Sequence, residues 1–175
     1  MKLLIVIVAA LIGALALVAG IVAVIGSRLP KAHVVSRSIF LHQSPQNVYG
    51  VVRDFGSAPK WRSDVERMDV DAQPGRPVYF REVGKSGTVN YELVEDVPAA
   101  RMVTRIRDTD LGYSGQWIYT FANENGGTRV TITEDAEVSN VLFRFMSRYV
   151  FGHTATIDSY LTSLAKHFGE EATPQ

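Results

Sequence analysis

The chain has 175 residues, with 18 basic and 18 acidic side chains, four histidines and no cysteine. Balanced charge argues against nucleic acid as a partner, which needs a basic face, and the lack of cysteine excludes a disulfide-stapled scaffold. Apart from the apolar N-terminus about 140 residues remain, the length of one domain with a core of its own.

Leu3 to Ile25 is a run of 23 residues with no charged, amide or hydroxyl side chain. As a helix it measures roughly 34 Å, enough to cross a hydrocarbon core of about 30 Å. A cleaved signal has a shorter apolar core of about 7–15 residues, then a polar region and a small-x-small site. Here Ala16, Ala19 and Gly20 lie inside the apolar run itself. Residues 1–26 therefore read as a retained single-pass anchor. A linker follows at residues 27–33, where Pro30 prevents helix continuation. Lys2 flanks one end of the span, and Arg28, Lys31 and Arg37 the other, with His33 among them. By the positive-inside rule this count puts the soluble part on the cytoplasmic side. Ala9, Gly13, Ala16, Gly20 and Ala23, spaced 4, 3, 4, 3, share one stripe of the helix. Such stripes let two membrane helices approach closely, which raises self-association. The ordinary Ala and Gly content of membrane helices accounts for the stripe equally well.

Beyond the linker, Val34 to Leu41 is rich in β-branched residues and predicts a strand. Ser44-Pro45 opens a helix, with Ser44 as N-cap and Pro45 in the first position. Val48, Val51, Val52 and Phe55 form its apolar side, Gly56 ends it, and Ala58 to Trp61 suggests a second short helical turn. After Trp61 the period switches to two. Strands are expected at Val65–Asp71, Val78–Val83, Val89–Asp96, Arg101–Arg107, Gln116–Ala122 and Arg129–Glu137. Gln73-Pro74-Gly75, Gly84-Lys85-Ser86-Gly87, Val97-Pro98 and Asn123 to Gly127 separate them as turns. One long helix is expected over Asn140 to Phe168, with Leu142, Met146, Tyr149, His153, Ile157, Tyr160, Leu161, Leu164 and Phe168 on one stripe. Residues 170–175 are polar and expected to be a disordered tail.

Strand, helix pair, six-stranded meander and long C-terminal helix resemble the helix-grip domains of the SRPBCC superfamily. That group includes START-like lipid-transfer domains, pollen-allergen-like proteins and polyketide cyclase/dehydrase-like proteins. The resemblance is carried by Ser44-Pro45-Gln46-Asn47-Val48-Tyr49, Asp54-Phe55, Trp61, Gly126-Gly127-Thr128-Arg129-Val130-Thr131 and Ile157 to Phe168, within a domain of residues 34–169. It implies an α+β fold in which a curved antiparallel sheet wraps a long C-terminal helix around an apolar cavity. It also implies binding of a hydrophobic small molecule or lipid. Some members are enzymes, but they share no universal catalytic motif.

Strand alternation puts Trp117, Tyr119 and Phe121 on one face, as it does Val130, Ile132 and Glu134, Val89, Tyr91 and Leu93, and Met102, Thr104 and Ile106. Arg101, Arg105 and Arg107 then face solvent. Two ionisable groups, Glu134 and His153, fall on inward faces, where burial disfavours their charged forms. They are the candidate acid–base pair of a cyclase/dehydratase-like enzyme. A structural His153, hydrogen-bonded to a neighbour, is the alternative. The expected cavity is lined by Trp61, Tyr91, Tyr119, Glu134, Tyr149, His153 and Ile157, because aromatic side chains are the usual walls of apolar sites. A packed interaction module, its interior filled by those same aromatics, is the third reading. No G-x-S-x-G elbow occurs. His33, His42, His153 and His167 are too scattered for a zinc site, and no cofactor motif is evident. Gly84-Lys85-Ser86-Gly87 is a hairpin loop rather than a phosphate cradle.

Overall fold

The computed structural model describes residues 2–85, 87–108 and 110–175, without the side chain of Phe151. Helix α1, Lys2–Arg28, is continuous and, among the described residues, the one helix long and apolar enough to cross a membrane. Residues 2–21 are exposed along their whole length, and so is Ala23, the last member of the small-residue stripe. Only the last turns of α1 meet the rest of the chain.

Strand β1, Ala32–Leu41, starts inside the stretch expected to be linker. Helix α2, Pro45–Arg53, begins as its sequence dictates: the Asn47 N–H donates to Ser44 Oγ at 3.3 Å, and Pro45 takes the first turn. A 3-10 turn at Phe55–Lys60 then carries the chain to the far edge of the sheet. There the meander starts: β2 Val65–Asp71, β3 Val78–Gly84, β4 Gly87–Val97, β5 Arg101–Ile106, β6 Tyr113–Glu124 and β7 Gly127–Val138. Every neighbouring pair is antiparallel, in the order β1-β7-β6-β5-β4-β3-β2. Gly84 and Gly87 pair across the β3–β4 hairpin, where Ser86 lies outside the described residues.

Two parts of the expected grip are corrected. The seven-stranded sheet is open, with β1 and β2 as its edges, and it is not strongly curled. The long helix over Asn140–Phe168 is divided. Helix α3, Val141–Met146, runs into a π-turn at Ser147–Phe151, and the chain then breaks at Gly152, with φ 77° and ψ 150°. A glycine adopts that φ without penalty, and a helix cannot pass through it. Helix α4, Ala155–His167, starts afresh. The apolar stripe is divided with it. Ile157, Tyr160, Leu161 and Leu164 are buried, whereas Leu142 is 54 % and Tyr149 59 % exposed. Sequence periodicity cannot reveal a change of phase at a single residue.

The core lies between α4, α2 and one face of the sheet. Leu41, Val48, Met102, Val130, Ile132, Ile157, Leu161 and Leu164 are sealed from solvent there. The tail expected to be disordered runs instead beside β1. Ser38 and Gln175 exchange two backbone hydrogen bonds at 2.9 Å, Arg37 Nη2 donates to the Pro174 carbonyl at 3.2 Å, and the Glu170 carboxylate accepts the His42 N–H at 3.0 Å. The tail thus covers a strand edge that would otherwise present unpaired backbone groups.

Asn125 and Gly126, with φ of 48° and 79°, form the two-residue link from β6 to β7. Two left-handed residues in such a link match the right-handed twist of a hairpin. The next residue, Gly127, meets a different demand. A Cβ there would run into the Leu41 carbonyl and the Phe40 ring. Gly127→Ala is expected to cost about 1–3 kcal/mol through overpacking. Urea unfolding of the full chain in detergent measures it, and an unchanged midpoint would mean that β1 and β7 do not pack this closely.

Candidate functional site

The 3-10 turn, α4 and strands β2 to β6 enclose a space walled mainly by aromatic rings. Phe55 stacks on Phe80 at 4.1 Å between centroids, and Phe80 stacks on Tyr91 at 5.0 Å. Trp61 and Trp117 meet Tyr160 edge-on at 5.2 and 5.7 Å. Tyr119, Thr104, Met68 and Thr156 complete the wall, and the space between them is about 70 Å³. Burial pushes the Tyr91, Tyr119 and Tyr160 hydroxyls up, so all three stay un-ionised.

One cation lies in this apolar wall. Arg62, 7 % exposed, donates from Nη1 to Glu82 at 2.7 Å and from Nη2 to Asp64 at 2.6 Å, with Tyr160 facing the guanidinium at 5.0 Å. Burial opposes its charge, but the hydrogen bond to Asp64 and the two bonds and charge of Glu82 outweigh that, and its pKa rises. The indole N–H of Trp61, also on the cavity wall, is buried with no hydrogen-bond partner.

A second polar group sits one position from the end of a cross-strand row. Leu93, Thr104, Trp117, Glu134 and Val35 pair in succession across β4, β5, β6, β7 and β1. Glu134 accepts from Trp117 Nε1 at 2.7 Å through one oxygen and pairs with His33 Nε2 at 2.9 Å through the other. The His33 ring lies 4.6 Å from that of His153, tilted by 38°. His153 Nδ1 is buried and unpartnered.

The residues expected to line one cavity are therefore distributed over four places. Trp61, Tyr91 and Tyr119 line it. Glu134 and His153 form the adjoining polar cluster, without a hydrogen bond to each other, because His33 stands between them. Ile157 is sealed in the core, and Tyr149 is exposed on the π-turn. Sequence reasoning missed His33, which it placed in the linker, and Arg62. The signal for His33 was available: it is followed by the alternating Val34 to Leu41 run, so the strand could have been started earlier. Arg62 sits between elements, where no periodicity marks a buried side.

An antiparallel sheet with a C-terminal helix across it and an aromatic space between them defines a START-like domain. The chain belongs to the family described as polyketide cyclase/dehydrase and lipid transport, whose model matches residues 32–169. No curated protein matches the chain. Among solved structures it is similar to a START superfamily protein from Mycobacterium smegmatis, at 16 % identity over 77 % of this chain and 96 % of that one, with a TM-score of 0.63. It is similar to norcoclaurine synthase from Thalictrum flavum, at 9 % identity over 80 % and 88 % of the two chains, TM-score 0.61. The di-domain ARO/CYC StfQ of the steffimycin biosynthetic pathway matches at 13 % identity and TM-score 0.59 over 79 % of this chain, which spans about half, 52 %, of StfQ. These identities speak for the fold alone. Family membership supports a ligand-binding role for the space between sheet and helix.

Burial, the His33 ring and the Arg148 charge hold His153 below the usual imidazole value, against the opposing pull of Glu134. A base kept neutral by the fold contributes its full stability above the unfolded value of about 6.5 and loses it as pH falls from there towards the folded value. The melting temperature of the full chain is therefore expected to drop on acidification through this window, and less steeply in His153→Gln. Equal slopes for the two proteins would contradict the burial of His153.

Proposed function

We propose that the chain is a membrane-anchored binding module for a hydrophobic small molecule or lipid held between the sheet and α4. The observation that carries this reading is the unpartnered indole N–H of Trp61 in an aromatic wall. A buried donor without an acceptor costs about 1–3 kcal/mol, and a ligand hydroxyl or carbonyl relieves that cost. Arg62 is already matched by two carboxylates, so an anionic group gains no free cation there. The favoured ligand is thus largely apolar, with one neutral oxygen near Trp61. Helix α1, read as a retained anchor with the domain on the cytoplasmic face, keeps the site where such molecules dissolve and raises their effective concentration.

The volume of about 70 Å³ is well below that of ordinary ligand pockets, about 300–1,000 Å³. Binding therefore requires a wall to move. The joint at Gly152 to Thr154 lets the first turn of α4 shift without unwinding a continuous helix. The same small volume favours a second reading, a packed module whose aromatics fill its interior.

A photoreactive fatty alcohol in vesicles containing the full chain separates the two. Adducts on the Phe55–Arg62 and Thr156–Tyr160 segments are expected, and Trp61→Phe should weaken this labelling about tenfold, the worth of one hydrogen bond of about 1–1.5 kcal/mol. Adducts confined to α1 would support the packed module instead.

A further inference from the structure

We propose that α3 and the π-turn form a foot that rests in the surface of the bilayer. Leu142, Phe143, Tyr149 and Val150 enter the boundary between headgroups and acyl chains. The proposal rests on α1 spanning that same bilayer.

Leu142, Phe143, Tyr149 and Val150 are 54, 46, 59 and 57 % exposed. Leu142-Phe143 on α3 and Tyr149-Val150 on the π-turn that follows it are thus two exposed apolar pairs on one short segment. Other residues hold the segment to the protein. Gly26, buried near the end of α1, lies so close to Val141 that a Cβ would stand 2.5 Å from its carbonyl oxygen. Arg144, itself buried, donates from Nη1 to the Leu29 carbonyl at 3.0 Å and closes the end of α1.

These contacts fix the height of the foot. The apolar run of α1 ends at Ile25, so on a spanning α1 Gly26 lies at the edge of the hydrocarbon and Leu29 about one turn beyond it. The N-terminus of α3 is packed at that level, the depth at which aromatic side chains gather at a membrane interface. Charge agrees with this placement. Residues 1–53 and 139–157 contain no acidic side chain, while Arg28 and Lys31 follow the span and Arg148 lies within the foot itself. Basic groups at this depth are drawn to anionic headgroups. The foot leads through Gly152 into α4, where Thr156 reaches the cavity wall within the first turn. Contact with the bilayer would therefore hold one wall of the binding space beside the lipid.

The chain has no cysteine, so single-site labels need no altered background. The full chain, labelled with an NBD dye at Phe143→Cys, Tyr149→Cys, Leu15→Cys or Val70→Cys, is reconstituted in vesicles of phosphatidylcholine and phosphatidylglycerol. The expected result is a blue shift at 143 and 149, with stronger quenching by lipids carrying a nitroxide near the headgroup than by those carrying it at the chain end. The label at 15 should show the reverse preference, and the label at 70 on β2 should stay aqueous. Labels at 143 and 149 that behave like 70 while 15 lies in hydrocarbon would overturn the foot and leave the anchor standing. An aqueous label at 15 would overturn both. A blue shift at 143 and 149 that grows with protein density and ignores nitroxide lipids would assign the face to a second copy of the chain, and would also overturn the proposal.

Discussion

Arg62 ties the 3-10 turn, β2, β3 and α4, all of them walls of the cavity, together. Its backbone N–H closes the 3-10 turn on the Ala58 carbonyl at 2.8 Å, and its carbonyl accepts from Val65 as β2 begins. Its side chain reaches Glu82 on β3 and faces Tyr160 on α4. A guanidinium this deeply placed is tolerable only while its partners stay, since an uncompensated buried charge costs several kcal/mol. The distances among turn, sheet and helix are therefore coupled through one residue. The space between them carries no unmatched cation among the described residues, because Arg62 is paired with Asp64 and Glu82.

At the other end of α4 the constraint is of the opposite kind. Gly152 frees α4 from α3, so the two obey different surroundings. Helix α4 is held by the core, and α3 is held by α1 through Gly26 and Arg144. The cluster of Glu134, His33, Trp117 and His153 stands at this junction, beside the break on one side and sharing Trp117 with the cavity on the other. In a domain tied at Arg62 and broken at Gly152, the first turn of α4 lies next to the segment that packs on α1.

Much of this was legible in the residues. Period-two alternation located the strands, and the expected Val65–Asp71 coincides with β2. The N-cap of Ser44 and a turn within Asn123 to Gly127 are local chemistry and are read directly. The break at Gly152 was not legible, because apolar residues on both sides of it keep helical spacing although only those after it enter the core. Leu142 and Tyr149 were therefore assigned inward for a reason that holds only for a continuous helix. Tyr149 left the expected cavity lining with them. Arg62, Glu82 and Asp64 meet through strand register and a turn, which one-dimensional spacing does not encode. The tail was expected to be disordered from its composition, but its backbone, not its side chains, pairs with Ser38 on β1.

The central claim is that the space between sheet and α4 takes up a lipophilic molecule. Mass spectrometry of an organic extract, made from the full chain purified out of its native membranes, tests this most directly. The account predicts one species enriched far above its share of the surrounding lipid and close to one per chain, apolar and bearing a neutral oxygen. An extract whose composition matches the bulk bilayer, with no species held in proportion to the protein, would contradict it.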